Sequence, residues 1–240
     1  MVQEQLDGVL RRIGRACERA GRPADAVSIL AVTKKVAPEQ IQEAAECGLR
    51  VFGESRVQEA KQKIPLCASH LEWHLVGHLQ TNKVRDAAGL FRAIHSVDSL
   101  RLLTAIDGAC AASGTTMRVL IEVNNSGEGT KFGVKPEAVS GLLGAARGMM
   151  NVDVSGLMTI PPASRDPEDA RPFFRNLREL RNRLRRETGF ALDELSMGMS
   201  DDFEVAVEEG ATWVRLGRTL FGERQARGEK SEQAQDSELV

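Results

Sequence analysis

The sequence predicts a single (β/α)8 barrel. Eight short apolar runs rich in β-branched residues recur along the chain, and each leads into a stretch with helical periodicity. Strands that alternate with helices imply parallel pairing through right-handed crossovers. The 240 residues hold eight such units at the small end of the barrel size range. The competing doubly wound sheet normally carries a glycine fingerprint after its first strand. Here that strand runs into Thr33-Lys34-Lys35.

An additional amphipathic helix over 2–20 precedes the barrel, with Leu6, Val9, Leu10, Ile13 and Cys17 as its apolar stripe. Strands are predicted over 28–33, 50–53, 72–77, 93–97, 118–123, 154–159, 194–197 and 213–216. The helices between and after them fall at 38–47, 57–64, 81–88, 99–113, 136–147, 168–187, 202–209 and 218–223. Pro38 suits the first turn of its helix, where a missing N–H costs nothing. The clearest helix carries Phe174, Leu177, Leu180 and Leu184 on one stripe and is stopped by Gly189. Its arginines, from Arg171 to Arg186, read as a solvated face, with a partner surface as the alternative. The polar end of the chain has no aromatic residue and is expected to be disordered, which divides the chain into a barrel over 1–224 and a tail over 225–240.

Composition narrows the function. A net charge of −2 gives no sign of nucleic-acid or anionic-membrane binding. No apolar run approaches the roughly 20 residues that span a bilayer, and the polar, acidic N-terminus resembles neither a signal nor a transit peptide. A cytoplasmic protein is expected. Cys17, Cys47, Cys67 and Cys110 show no metal-like spacing and read as small buried or half-buried apolar groups. His74 and His78 are four apart, but on a strand that spacing makes no chelating pair, so no metal site is expected. The chain contains no tyrosine.

In a barrel, functional residues gather where strands end. Lys34 stands at the end of the first strand, where an amine turned into the barrel is a nucleophile for imine formation. After the seventh and eighth strands come Ser196-Met197-Gly198-Met199-Ser200 and Arg215-Leu216-Gly217-Arg218. Each carries glycine and runs straight into a helix, so its backbone N–H groups are placed to hold an anion. Ordinary tight turns are the plain alternative. A lysine and a phosphate cradle on one rim suit an aldehyde-bearing phosphate, and pyridoxal 5′-phosphate (PLP) fits that description. Lys35 is the rival amine, but strand alternation turns only one of the two inward and favours Lys34.

Several blocks carry a resemblance. They are Ala31-Val32-Thr33-Lys34, Phe52-Gly53-Glu54-Ser55-Arg56-Val57-Gln58-Glu59, Trp73-His74-Leu75-Val76-Gly77-His78-Leu79-Gln80-Thr81-Asn82-Lys83, Gly156-Leu157-Met158, Leu195-Ser196-Met197-Gly198-Met199-Ser200-Asp201-Asp202 and Val214-Arg215-Leu216-Gly217-Arg218-Thr219-Leu220-Phe221-Gly222. In this order they resemble the pyridoxal phosphate homeostasis proteins, a group with an alanine-racemase-like N-terminal domain. The resemblance implies a fold-type III PLP barrel without a C-terminal β domain. It also implies a cofactor lysine at Lys34, a phosphate-loop serine at Ser200, a second phosphate loop at Gly217 and Arg218, and an arginine near the pyridine nitrogen at Arg215. Ser55 stands where many members carry asparagine, and Arg56 where many carry tyrosine; the shorter Ser55 still offers a hydrogen bond to the cofactor.

The function implied is a carrier and regulator of intracellular PLP that affects amino-acid balance, with apo-PLP enzymes as recipients and a monomeric state. The alternatives are a genuine PLP enzyme, such as an amino-acid racemase or lyase, and a cofactor-free Schiff-base aldolase. Racemisation on such a barrel normally takes a second base, a tyrosine from a β domain, and this chain has no tyrosine and no second domain after the barrel. An arginine at the pyridine nitrogen disfavours the pyridinium and weakens the electron sink. No catalytic residue is therefore assigned, with His78 the remaining candidate for a substitute base. Glu54 orients the site or caps the next helix, Met197 and Met199 wall the cofactor or fill the core, and Lys131-Phe132-Gly133 reads as a structural turn with a lid as the alternative.

Overall fold

The computed structural model describes residues 2–129 and 131–222, and the tail predicted over 225–240 lies outside them. Eight parallel strands close into a barrel in chain order: β1 (Ser28–Val32), β2 (Val51–Glu54), β3 (Glu72–Leu75), β4 (Ala93–Val97), β5 (Met117–Glu122), β6 (Val152–Met158), β7 (Glu194–Ser196) and β8 (Trp213–Leu216). Every predicted strand is present, with ends moved by no more than two residues. Closure rests on β1 beside β8, where Ser28 faces Trp213 and Leu30 faces Arg215.

The helices are α1 (Val2–Arg19), α2 (Pro38–Glu46), α3 (Val57–Lys63), α4 (Val84–Leu90), α5 (Leu100–Ser113), α6 (Val139–Ala146), α7 (Arg171–Thr188), α8 (Phe203–Glu208) and α9 (Arg218–Phe221). Three begin three residues later than their periodicity predicts, because Thr81–Lys83, Pro136–Ala138 and Pro167–Ala170 are tighter 3-10 turns that lead into α4, α6 and α7. Alternation along the strands sends Ala31, Phe52, Trp73 and Ile94 into the apolar layer under the helices. His74, His95, Ser196 and Arg215 belong to the other face: His95 of β4 bonds to Ser196 of β7, a contact that only the barrel interior permits.

Two expectations are corrected here. On α1 the buried arc is Val2, Leu6, Val9, Ile13, Ala16 and Cys17, while Leu10 is 51% exposed at its edge. The arginine face of α7 is more than solvated, since Arg171, Arg175 and Arg178 converge on the Glu209 carboxylate just past α8. Arg171 also holds Glu168 and Glu208. Helix α7 ends as predicted at Gly189, whose φ of 72° allows its N–H to bond back to Arg185.

Candidate cofactor site on the C-terminal rim

The C-terminal ends of the strands surround a cavity of about 600 Å³. Lys34, Ser55, Ser200, Arg215, Gly217 and Arg218, all singled out in the sequence, line it together. Val32, Val76, Ile160, Met199 and Asp201 complete its walls.

The placing of Lys34 depends on its neighbours. Thr33 turns away and is fully buried, its hydroxyl donating to Glu54 Oε1 at 2.7 Å. Lys35 adopts a left-handed φ of 61° and is exposed, and its N–H donates to Glu59 Oε1 at 2.6 Å. Simple alternation anticipated the outcome, but the strand has already ended at Val32, and it is this turn that separates the two amines. Beneath it, the Lys63 ammonium donates to the Thr33 carbonyl at 2.6 Å, to Glu54 Oε1 at 2.6 Å and to Glu59 Oε1 at 2.8 Å. Glu54 therefore neither caps α3 nor lines the cavity; it fastens the ends of β1 and β2 through Lys63. Burial raises the Glu54 carboxyl pKa against the opposing bonds from Lys63 and Thr33. Sequence reading missed Lys63. The available signal was a lysine sharing the buried face of a short helix with Val57 and Ala60.

Arg215 is 4% exposed. Its Nη1 donates to the Ser196 carbonyl at 2.7 Å and to Ser196 Oγ at 2.9 Å, and its Nη2 donates to the Thr159 carbonyl at 2.9 Å. The guanidinium plane is thus fixed by the ends of β6 and β7. Burial lowers its pKa to about 10 while Glu122 and Asp202 oppose the change, so it stays charged at neutral pH.

The loops after β7 and β8 are stitched together. Thr219 N–H donates to Ser200 Oγ at 3.3 Å, Arg215 N–H donates to the Gly198 carbonyl at 2.9 Å, and the Arg218 guanidinium pairs with Asp201. Asp202 Oδ1 receives the Met199 N–H at 2.6 Å. Gly198 has φ of 91°, and a Cβ there would come within 2.5 Å of the Ala206 side chain, so the tight loop requires glycine. The two methionines divide the roles left open: Met197 is fully buried in the core, whereas Met199 faces the cavity. On the other side, a Cβ on Gly77 would lie 2.2 Å from the Ser55 carbonyl, so the bare backbone of Gly77 lets Ser55 sit at the rim.

A smaller recess of about 200 Å³ adjoins this cavity through Ile160 and is lined by Glu122, Val123, Asn124, Lys131 and Phe132. Burial raises the Glu122 carboxyl to about 7, with Arg215 opposing and Asp98 reinforcing. Nothing local in the sequence distinguishes Glu122, because the shift comes from tertiary burial. The Lys131-Phe132-Gly133 segment is tied back to the end of β5, with Asn124 Nδ2 donating to the Lys131 carbonyl at 3.2 Å and Val134 N–H to the Glu122 carbonyl at 2.7 Å. His78 stacks on Phe132 at 3.9 Å and pairs with Asp98 at 3.2 Å, whereas His74 lies inside the barrel. Among the described residues no group of three His, Cys, Asp or Glu side chains could hold a metal ion.

A closed parallel barrel with an amine at the end of β1, a buried arginine on β8 and stitched loops after β7 and β8 defines a barrel protein with a polar cavity on its C-terminal rim. The family model described as alanine racemase, N-terminal domain, matches residues 6–225. A pyridoxal phosphate homeostasis protein of Aquifex aeolicus is 52% identical over 222 residues, 92% of this chain and 97% of that protein. Its counterpart in Pseudomonas aeruginosa is 40% identical, covering 93% and 96%. The solved structure of PipY of Synechococcus elongatus with PLP bound superposes with a TM-score of 0.82 at 34% identity, over 92% of this chain and all of that one. The chain belongs to the pyridoxal phosphate homeostasis protein family, within the alanine racemase N-terminal-domain fold.

Proposed function

We propose that this chain binds PLP at Lys34 and acts in intracellular PLP homeostasis as a carrier and regulator. The observation that carries the reading is the convergence of an amine, a buried arginine and two stitched loops from separate strand ends on one cavity. The donor set fits the group. Lys34 is the amine for the aldehyde, Ser200 with the backbone of Gly217 and Arg218 suits the phosphate, Arg215 suits the ring nitrogen, and Ser55 offers one hydroxyl. Val32, Ile160 and Met199 give apolar walls for a flat ring. The name shared by the relatives and the PLP held by PipY support the same assignment.

When bound, PLP supplies an electrophilic carbon and an electron sink. The residues of this chain favour holding over turnover. With its pKa at about 10, Arg215 would donate to a ring nitrogen without protonating it, which would weaken the sink. The stitched loops would hold the phosphate, and Lys63 with Glu54 holds the turn that presents Lys34. This reading includes a barrel domain over 1–224, a monomeric state, a cytoplasmic setting and apo-PLP enzymes as recipients. No helix among the described residues is long and apolar enough to cross a membrane.

Borohydride reduction after incubation with PLP, followed by peptide mass mapping, should place the pyridoxyl mass on Lys34. Its appearance on Lys35, or nowhere, refutes the site. The loaded protein should activate an apo-PLP enzyme faster than free dilution predicts. Rapid interconversion of D- and L-amino acids that vanishes in Lys34→Ala would instead establish an enzyme.

A further inference from the structure

A line of polar groups runs through the barrel interior beneath Arg215. Arg215 Nη1 lies 2.9 Å from Ser196 Oγ, which lies 2.8 Å from His95 Nδ1. His95 Nε2 is 3.0 Å from His74 Nδ1, and His74 Nε2 is 2.8 Å from Glu72 Oε1. Ser196, His95 and His74 are fully buried, and Trp213 stands edge-on to both imidazoles at 5.3 and 6.3 Å. Only Glu72 reaches solvent, its side chain 39% exposed. It opens β3, at the end of the barrel opposite the cavity.

The two ends fix the direction of the outer bonds, and neutral imidazoles fix the inner ones. A guanidinium only donates and an ionised carboxylate only accepts. The bond from His74 holds the Glu72 carboxyl below its ordinary range, so that end is ionised at neutral pH. With both imidazoles neutral, Ser196 accepts from Arg215 and gives its proton to His95 Nδ1. His95 gives its Nε2 proton to His74 Nδ1, and His74 gives its Nε2 proton to Glu72. The competing arrangement needs a His74 imidazolium that donates from both nitrogens, with His95 then giving its Nδ1 proton to Ser196 Oγ, so the two differ in where the ring protons sit. Burial likewise keeps His95 neutral. Barrel interiors are ordinarily filled by branched aliphatic side chains, so two histidines and a serine aligned behind one arginine call for a reason beyond filling space.

We propose that Glu72, His74 and His95 are positioning residues that hold the Arg215 guanidinium against the cavity through a one-way hydrogen-bonded chain. The chain itself stands on the bonds above. Its bearing on PLP rests on the function proposed in the preceding section.

The first test needs no cofactor. In protein labelled with 15N-histidine, long-range nitrogen–proton correlation at neutral pH should show His74 and His95 neutral and both protonated on Nε2. Substitutions His70→Gln and His78→Gln remove the other two histidine signals. Either ring protonated on Nδ1, or on both nitrogens, overturns the chain. The second test reads the far end. Glu72→Met leaves His74 Nε2–H without its acceptor and should weaken PLP binding about tenfold, the equivalent of about 1.4 kcal/mol, and shift the absorption band of bound PLP. Glu72→Gln keeps an acceptor oxygen and should restore both. Unaltered affinity and band in Glu72→Met overturn the positioning role. Absence of the pyridoxyl label from Lys34 in the unsubstituted protein refutes the PLP reading and leaves the histidine protonation test standing.

Discussion

Glu122 closes β5 at 7% exposure, and its carboxyl makes no hydrogen bond among the described residues. Burial lifts its pKa from 4.5 to about 7, with Arg215 pulling it down and Asp98 pushing it up. The folded value lies above the unfolded one, so the folded state holds this proton more tightly. Ionisation therefore costs the fold nothing below about pH 4.5, costs more as pH rises, and reaches its full penalty above about 7. At about 1.4 kcal/mol per pH unit the full penalty is about 3 kcal/mol. Glu122→Gln has nearly the same shape and no ionisation. Urea unfolding of both proteins should show the variant gaining about 2 to 3 kcal/mol over the unsubstituted chain between pH 5 and pH 8. Burying the amide adds a cost common to both pH values, and all other titrating groups cancel in the comparison. A difference between the two proteins that does not change with pH would refute the reasoning.

Two further outcomes follow from the buried ion pairs. Lys63→Met strands the Glu54 carboxylate, whose Oε2 already lacks a partner, and frees the Thr33 carbonyl. It should cost about 3–5 kcal/mol in urea unfolding and slow the labelling of Lys34 at any denaturant-free temperature where the variant stays folded. At Glu209, burial alone would raise the carboxyl pKa, but bonds from Arg175 and Arg171 and the charge of Arg178 hold it below 4.5. A depressed carboxyl stabilises the fold above its unfolded value and loses that contribution as pH falls through its folded value. Glu209→Gln should therefore cost about 1–3 kcal/mol at pH 7 and progressively less as pH falls through the folded value of Glu209, making acid unfolding less steep.

The sequence by itself determined the barrel, its eight strands and the identity of the rim residues. Those properties are written locally: alternation in 28–33 or 213–216, the 3.6-residue stripe of Phe174, Leu177, Leu180 and Leu184, and glycine at the turns after β7 and β8. Lys34, Ser200 and Arg215 were legible because strand ends in a barrel share one rim, so that position along the chain becomes position in space. Tertiary structure alone decided which charges meet. Lys63 reaching the Thr33 carbonyl spans 30 residues, His95 meeting Ser196 spans 101, and the arginines of α7 gripping Glu209 depend on where α8 ends. Such pairs depend on strand register and barrel closure, which bring side chains far apart in sequence within bonding distance. The same closure removes water from Glu122 and Arg215 and so sets their proton affinities. It is why the rim site could be read from the chain, while the charges and bonds that hold it in place required the fold.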